Sequence, residues 1–279
     1  MDWTKALKYA GLVKIAESVR PDADYQQEQL DAITAAGYTL LQTMYGDDLA
    51  TDIDPRLGIE VSYGFVALSA SGECVAAIRG TDNIWEWVQD AKFPMIPTPA
   101  GRGLVEDGFS SVYRSLRLRK AQPSANDVTV KDFINGLLAT KQATRLTICG
   151  HSLGGALATL LAIDVWKSAI DACYTFASPR VGDHIFSDYY NKWAVPTYRV
   201  ENRFDLVPKL PPILPLPYEH VAEKYELKGS FSFNAAEEHH LATYISLMQA
   251  LILATTYLTH PAQKEQDGEG DSGLRKGAV

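Results

Sequence analysis

The chain has 279 residues, of which 46% are hydrophobic and 22% are charged, and its formal net charge at pH 7 is −8. This length suits one large α/β domain or two small ones. The acidic balance argues against a nucleic-acid partner and against electrostatic docking on anionic lipid. Because we find no internal repeat and no shift of composition, we expect a single domain over residues 1–262. Residues 263–279 form a polar C-terminal tail that should be poorly ordered.

The start of the chain has no charged segment followed by a continuous apolar core, so it does not resemble a signal peptide. The three cysteines, Cys74, Cys149 and Cys173, fall in predicted strands, which favours buried reduced thiols over a disulfide framework. Both observations predict a cytoplasmic protein, although secretion by another route stays open. Residues 241–259 are uncharged and almost long enough to span a bilayer, but their polar side chains favour a helix facing the core.

Helices and strands alternate along the predicted chain. Helical spacing predicts amphipathic helices over residues 7–19 and 25–44, and a hairpin is predicted for residues 61–68 and 74–78. The later predicted elements are helices over 108–118 and 130–138, a strand over 145–149, a helix from 154, and strands over 172–177, 196–200 and 221–227. This alternation predicts an α/β fold with a mostly parallel central sheet and helices on both faces. Ligands of such sheets bind beyond the carboxyl ends of the strands.

One stretch organises the rest of the chain. Gly150-His151-Ser152-Leu153-Gly154 fits the pattern G-x-S-x-G between a predicted strand and a predicted helix. A sharp strand-to-helix turn strains its apex residue, and side chains two positions before and after would clash, so both positions need glycine. Ser152 would then lie at the positive end of the following helix, which suits a nucleophile that later carries negative charge. The alternative is a tight turn with an idle serine.

A serine nucleophile needs a base within hydrogen-bond reach, and the base needs an orienting acid. After a nucleophile elbow, the acid precedes the histidine along the chain. Asp205 follows a predicted strand and enters a proline-rich loop that can fix a carboxylate, whereas Asp183 is better interpreted as a helix cap. The base is expected at the start of the last helix, where the residues alone do not separate His239 from His240.

Acyl transfer also needs two donors for the oxyanion that forms in the transition state. The amide of Leu153, directly after the nucleophile, is the expected first donor, and Thr81, after an earlier strand, is the candidate for the second. The following segment carries Trp85 and Trp87 among polar residues, a pattern typical of an amphipathic flap, with ordinary core as the alternative.

Further motifs occur in a fixed order between about residues 61 and 244. They are Arg79-Gly80-Thr81, Trp87 with Asp90, Gly108-Phe109, Gly150-His151-Ser152-Leu153-Gly154-Gly155, Ser178-Pro179-Arg180-Val181-Gly182-Asp183, Asp205-Leu206-Val207-Pro208 with Leu210-Pro211-Pro212, and His240-Leu241-Ala242-Thr243-Tyr244. Together they resemble the class three (fungal-type) triacylglycerol lipases, which have the α/β-hydrolase fold. The resemblance implies Ser152 as nucleophile, Asp205 as acid and His240 as base, because the family's His-Leu-x-x-Tyr pattern selects His240.

The resemblance also implies a substrate-binding region. Thr81 and Leu153 would be the oxyanion donors, and a short lid would cover about residues 82–96. The substrate-binding candidates are Trp85 in the lid and Phe93, Val207, Leu210 and Leu241 along an acyl groove.

The function expected from these residues is a serine carboxylester hydrolase that cleaves acylglycerol esters through an acyl-enzyme. It should need no metal or cofactor, because fixed amides stabilise the charge. Its partner would be a lipid or ester substrate, at a lipid–water interface where the lid opens. The alternatives are a phospholipase A, a soluble aryl or feruloyl esterase, and a non-catalytic lipid-sensing or partner-binding module.

Overall fold

The computed structural model describes residues 1–20, 22–48, 60–81, 84, 93–98, 101–118, 128–165, 167–193, 195–214, 217–229 and 234–259. Its helices are α1 (Trp3–Glu17), α2 (Gln27–Ala35), α3 (Asp107–Ser115), α4 (Val130–Ala139), α5 (Leu153–Asp164), α6 (His184–Trp193), α7 (Ala235–His239) and α8 (Leu241–Thr259). Its strands are β1 (Tyr38–Asp47), β2 (Glu60–Ser69), β3 (Glu73–Ile78), β4 (Met95–Pro97), β5 (Leu104–Glu106), β6 (Arg117–Leu118), β7 (Arg145–His151), β8 (Ile170–Phe176), β9 (Gly182–Asp183), β10 (Thr197–Asn202), β11 (Tyr218–Glu219) and β12 (Lys224–Leu227).

The described residues form an eight-stranded sheet in the order β12-β10-β8-β7-β3-β2-β1-β6. The strands from β3 to β12 in this order run parallel, whereas β2, β1 and β6 are added antiparallel at one side. A smaller sheet pairs β11, β9, β5 and β4. The expected α/β architecture is confirmed, with the predicted hairpin of residues 61–68 and 74–78 present as β2 and β3.

Two apolar cores cover the two faces of the large sheet, and β3 shows how they divide. Ala76 and Ile78 of β3 pack in one core with residues of α3, α4, α5 and α6. Val75 and Ala77, which alternate with them, pack in the other core with residues of α1, α2 and α8. Because successive side chains of a strand point to opposite faces, a strand that is apolar throughout is buried on both sides.

The second predicted helix, over residues 25–44, is wrong beyond its first half. Helix α2 ends at Ala35, and the chain then continues as the long strand β1. Gly37 has φ of +88° and follows the helix cap, where only glycine adopts this conformation without strain. The predicted helix was therefore extended past Gly37, a residue that signals the end of a helix.

The termini of three parallel strands bring the candidate residues to one edge of the sheet. Thr81 follows β3, Ser152 follows β7, and Asp205 follows β10. The junction between α7 and α8 supplies the histidines at the same edge, as the contacts below show. None of the helices in the described part is long and apolar enough to cross a membrane. The predicted tail over residues 263–279 lies outside the described residues.

Candidate active site

Ser152 occupies a strained turn between β7 and α5. Its φ and ψ are 56° and −126°, a conformation that non-glycine residues rarely adopt. A Cβ atom on Gly150 would lie 2.1 Å from the carbonyl oxygen of Gly154, and one on Gly154 would lie 2.3 Å from that of Ile78. The steric reason for the G-x-S-x-G spacing is therefore confirmed, and the turn is a nucleophile elbow.

The side chain that joins Ser152 to Asp205 is His239. Its Nε2 lies 2.8 Å from Oγ of Ser152, and its Nδ1 lies 2.8 Å from Oδ2 of Asp205. All three residues are buried. With Nδ1–H donating to the carboxylate, Nε2 is left as the acceptor for the serine hydroxyl, which is the arrangement of a Ser-His-Asp triad.

The prediction that His240 is the base is wrong. Helix α7 ends at His239, and His240 has extended dihedral angles (φ −60°, ψ 134°) before α8 begins. This break turns the two adjacent side chains in different directions, so His239 is buried between Ser152 and Asp205 while His240 is exposed on the cavity wall. The His-Leu-x-x-Tyr pattern covers only His240 and the first turn of α8, so it does not indicate that a helix end separates His239 from His240.

Asp205 is held by donors from three parts of the fold. Oδ1 accepts a hydrogen bond from the amide of Val207 at 2.9 Å, and Oδ2 accepts from the Tyr244 hydroxyl at 2.8 Å as well as from His239. The backbone amide of Asn202 donates to the Tyr244 hydroxyl at 2.9 Å, which fixes that hydroxyl. Tyr244 therefore orients the acid.

Asp183 caps a helix, as the sequence predicted. Its Oδ1 accepts from the amides of Phe186, in the first turn of α6, at 2.9 Å and Leu104 at 3.1 Å. These bonds fix the carboxylate at the helix start, away from the elbow. Its position after a strand is thus explained by helix capping.

Burial lowers the pKa of His239. The hydrogen bond to Asp205 opposes this lowering, whereas the nearby His151 adds to it. A lowered pKa keeps the imidazole neutral at near-neutral pH, which is the form that can accept a proton from Ser152.

The expected oxyanion donors flank the nucleophile. Leu153 is the first residue of α5, directly after Ser152, and Thr81 lines the same cavity as Ser152. A Cβ atom on Gly80 would lie 2.8 Å from Cβ of Ser152, so the glycine lets the turn after β3 approach the nucleophile closely. Both candidates therefore lie close to the nucleophile, and their role as oxyanion donors remains a prediction.

A cavity of about 370 Å³ lies in front of Ser152, between α1, the turn after β3, the elbow and the α7–α8 junction. Of the predicted substrate-binding residues, Leu241 lines it. The other described candidates, Phe93, Val207 and Leu210, are not among the residues that form these walls. Phe93 and Val207 pack instead in the core on the α5 side of the sheet. Trp85 and most of the predicted lid over residues 82–96 lie outside the described residues.

Sequence reasoning missed two residues beneath the triad, His151 and Glu17. Nδ1 of His151 lies 2.8 Å from Oε1 of Glu17, and its Nε2 lies 2.8 Å from the carbonyl oxygen of His239. Glu17 is the last residue of α1, about 130 positions before the elbow by chain numbering. The sequence shows Glu17 only as an acidic residue within the predicted amphipathic helix over residues 7–19. This position does not indicate which residue it contacts.

Comparison with known proteins points in the same direction as this geometry. The model of the family described as "Lipase (class 3)" matches residues 75–214, about half of the chain. The chain is 31% identical over 187 residues to the secreted mono- and diacylglycerol lipase 1 of Fusarium solani, covering 65% of this chain and 53% of the relative. It is 31% identical over 172 residues to phospholipase A1-II 6 of Oryza sativa subsp. japonica, covering 51% of this chain and 41% of the relative.

The fold matches solved lipase structures. A lipase of Rhizomucor miehei in a propeptide complex superposes with a TM-score of 0.62 at 23% identity, covering 82% of this chain and 67% of that one. At this identity the likeness establishes the fold, so the predicted α/β-hydrolase architecture is confirmed.

The expectation of a cytoplasmic protein is wrong, because the Fusarium solani relative is named as a secreted lipase. The three cysteines are buried and free, and packing within strands of the core is enough to explain them. Their reduced state therefore carried no information about the compartment.

The chain spans about half the length of the curated relatives it matches. The match of the family model includes the elbow serine and the triad carboxylate. The chain belongs to the class 3 lipase family.

Proposed function

We propose that the protein is a serine carboxylester hydrolase that cleaves acylglycerol esters. Ser152 is the nucleophile, His239 the general base and Asp205 the orienting acid. The observation that carries this proposal is the unbroken relay from Oγ of Ser152 through His239 to Asp205, with both hydrogen bonds at 2.8 Å. The relay starts at a strained elbow whose neighbouring glycines allow the tight turn.

The geometry supports a two-step mechanism. Oγ of Ser152 attacks the ester carbonyl carbon while Nε2 of His239 takes the hydroxyl proton. The carbonyl oxygen becomes an oxyanion between the amides of Leu153 and Thr81, and removal of one such donor typically costs about a hundred- to a thousand-fold in rate. When the intermediate collapses, His239 gives its proton to the leaving alcohol. A water molecule then attacks the acyl-enzyme with His239 as base, which releases the fatty acid and restores Ser152.

Class 3 family membership implies a lipid or ester substrate, and the surface beside the triad favours a lipid. Leu206, Ile213 and Leu214 are exposed by 46%, 59% and 82% in the segment that follows Asp205. Exposed apolar side chains within one segment of the chain suit contact with an apolar phase such as a lipid surface. Together with the name of the Fusarium solani relative, they favour mono-, di- or triacylglycerols as substrates.

A phospholipase A1 activity is the second candidate. It is favoured by the relative named phospholipase A1-II 6, which matches at the same 31% identity as the acylglycerol lipase. The triad would act identically on a phospholipid ester, so the two activities differ only in which headgroup the substrate-binding surface accepts.

The test is hydrolysis of matched substrates by the purified full chain. Dioctanoylglycerol and dioctanoylphosphatidylcholine share acyl chains and differ in headgroup, and p-nitrophenyl esters from acetate to laurate measure the chain-length preference. We expect hydrolysis of the glyceride and of p-nitrophenyl esters at least as long as the octanoate, and loss of both in Ser152→Ala. Activity confined to acetate and butyrate would exclude the lipase assignment, and preference for the phospholipid would favour the second candidate.

A further inference from the structure

A buried pair of side chains lies directly beneath the base histidine. The ring of His151 stacks against that of His239, with centroids 4.9 Å apart and an interplanar angle of 31°. His151 contacts Glu17 through Nδ1 and the carbonyl oxygen of His239 through Nε2, each at 2.8 Å. The His151 side chain is 7% exposed and that of Glu17 is 19% exposed, so water screens the pair only weakly.

The two partners of His151 determine its protonation. A carboxylate and a backbone carbonyl are both acceptors, and neither can donate a hydrogen bond. A neutral imidazole has one N–H and one lone pair, so one ring nitrogen would face an acceptor without a proton between them. The imidazolium donates from both nitrogens, and it is the form that satisfies both contacts.

We propose that Glu17 is a positioning residue that holds His151 as an imidazolium, which in turn anchors the backbone of His239 and places a positive charge beside the base. The inference rests on the proposed function, in which His239 is that base. Glu17 lies outside residues 75–214, so the match to the family model does not cover it.

The electrostatics of the pair agree with this geometry. Burial by itself would lower the pKa of His151, but the charge of Glu17 and its hydrogen bond outweigh burial and raise that pKa. Burial by itself would raise the pKa of Glu17, but His151 outweighs it and lowers that pKa. The two shifts have the directions expected for an ion pair in which each partner stabilises the charge of the other.

Titratable and charged groups face this pair from every element packed around it. They are Lys14 of α1, Arg79 after β3, Asp205 after β10, His239 of α7 and Tyr244 of α8. Lys14 and Arg79 both help to keep Glu17 ionised. Asp205 adds to the stabilisation of the His151 cation. The surroundings therefore favour the charged form of both partners.

The charge on His151 acts on the base. It lowers the pKa of His239, in addition to the lowering that burial causes, while Glu17 has a smaller effect in the opposite direction. Removing the pair should therefore raise the pKa of His239. Because the reaction needs a neutral base, the acidic limb of the rate profile should move to higher pH.

The test uses Glu17→Gln in the full chain, with Glu28→Gln as the matched control. The glutamine amide can donate to Nδ1 of a neutral His151, so the substitution removes the charge while keeping a hydrogen bond. Glu28 is exposed in the first turn of α2, and its replacement removes the same charge away from the site. We expect Glu17→Gln to move the acidic limb of kcat/KM for a soluble p-nitrophenyl ester upward by roughly one pH unit. Glu28→Gln should leave it in place.

A second variant and a spectroscopic measurement keep the proposal testable if Glu17→Gln does not fold. His151→Gln retains a donor for the carbonyl of His239 and should show the same upward shift. Glu17→Asp keeps the carboxylate and should show the acidic limb at the wild-type pH. Imidazole ¹⁵N NMR of the wild-type chain should show His151 doubly protonated at pH 7. A merely structural role for Glu17 would lower the rate at every pH without moving the limb.

Two results would overturn the proposal: a neutral His151 in the wild-type spectrum, or acidic limbs that coincide in the wild type, Glu17→Gln and Glu28→Gln. Failure of the proposed function would look different. The wild-type chain would then hydrolyse no ester and would not react with a phosphonate at Ser152, while the NMR measurement would still report on His151.

Discussion

Tyr244→Phe removes one hydroxyl from the support of Asp205. That hydroxyl donates to Oδ2 of Asp205 at 2.8 Å and accepts from the backbone amide of Asn202 at 2.9 Å, and the ring is fully buried. Hydrogen bonds to charged groups contribute about 1.5–3 kcal/mol, and each 1.4 kcal/mol is about tenfold in rate. If this contribution appears in the transition state, kcat/KM should fall by roughly ten- to a hundred-fold. The unpaired amide should lower the free energy of unfolding by about 1–3 kcal/mol.

Tyr190→Phe is the matched control for this prediction. Tyr190 is also fully buried, and its hydroxyl bonds to Oγ1 of Thr197 at 2.8 Å, away from the elbow. Ester hydrolysis and urea unfolding, measured for both variants, separate the effects on catalysis and stability. We expect comparable losses of stability and a loss of kcat/KM in Tyr244→Phe alone. Wild-type kcat/KM in a destabilised Tyr244→Phe would refute the argument that this hydroxyl orients the acid.

Three further outcomes follow from the structure, two at the active site and one at Glu73 in β3. Ser152→Ala should abolish ester hydrolysis with an unchanged circular dichroism spectrum, and residual turnover at the wild-type rate would exclude Ser152 as nucleophile. His239→Ala should reduce kcat by at least about a thousand-fold, whereas His240→Ala should retain most of it; the opposite ranking would reinstate His240. Burial alone would raise the pKa of Glu73, but hydrogen bonds from Tyr9 and other neighbours lower it. The stabilisation from that lowered pKa is present above the unfolded pKa and is lost as pH falls through the folded pKa. The stability advantage of the wild type over Glu73→Gln should therefore shrink in urea titrations as the pH falls below about 4.5, the ordinary pKa of a glutamate.

The parts of the site that were predictable from sequence are those set by local sterics. The glycines around Ser152 follow from the clash distances of a tight turn, and Asp205 follows from the rule that parallel strands deliver their ends to one edge. The glycine constraint acts within a few residues of the motif, whereas the sheet rule needs only the order of strands and helices along the chain. The sequence therefore contains enough information to place the nucleophile and the acid without any knowledge of distant contacts.

The parts that were not predictable depend on a choice between nearly equal local alternatives. His239 and His240 are adjacent, and the one that reaches Ser152 is decided by the end of α7, which separates it from α8. The alanine-rich residues before β1 likewise favour a helix that continues into it. Pairing of β1 with β2 outweighs that local preference. For the histidines tertiary packing decides, whereas the end of α2 is also marked locally by Gly37, which has φ of +88°.

Helix α1 shows why a catalytic site can extend beyond the segment that carries its motifs. Its last residue, Glu17, contacts His151, and the carbonyl oxygen of Val19 just after the helix accepts from Nη1 of Arg79 at 2.9 Å. Nε of Arg79 donates to the carbonyl oxygen of Gly80 at 3.0 Å, in the turn that leads to Thr81. The end of one N-terminal helix thus contacts His151, which stacks on His239, and Arg79, which bonds the turn before Thr81. Because both contacts are hydrogen-bonded and largely shielded from water, a shift of α1 would disturb the surroundings of His239 and of Thr81 together. The elbow motif identifies Ser152, but the residues around Ser152 are positioned in part by α1, which carries none of the family motifs.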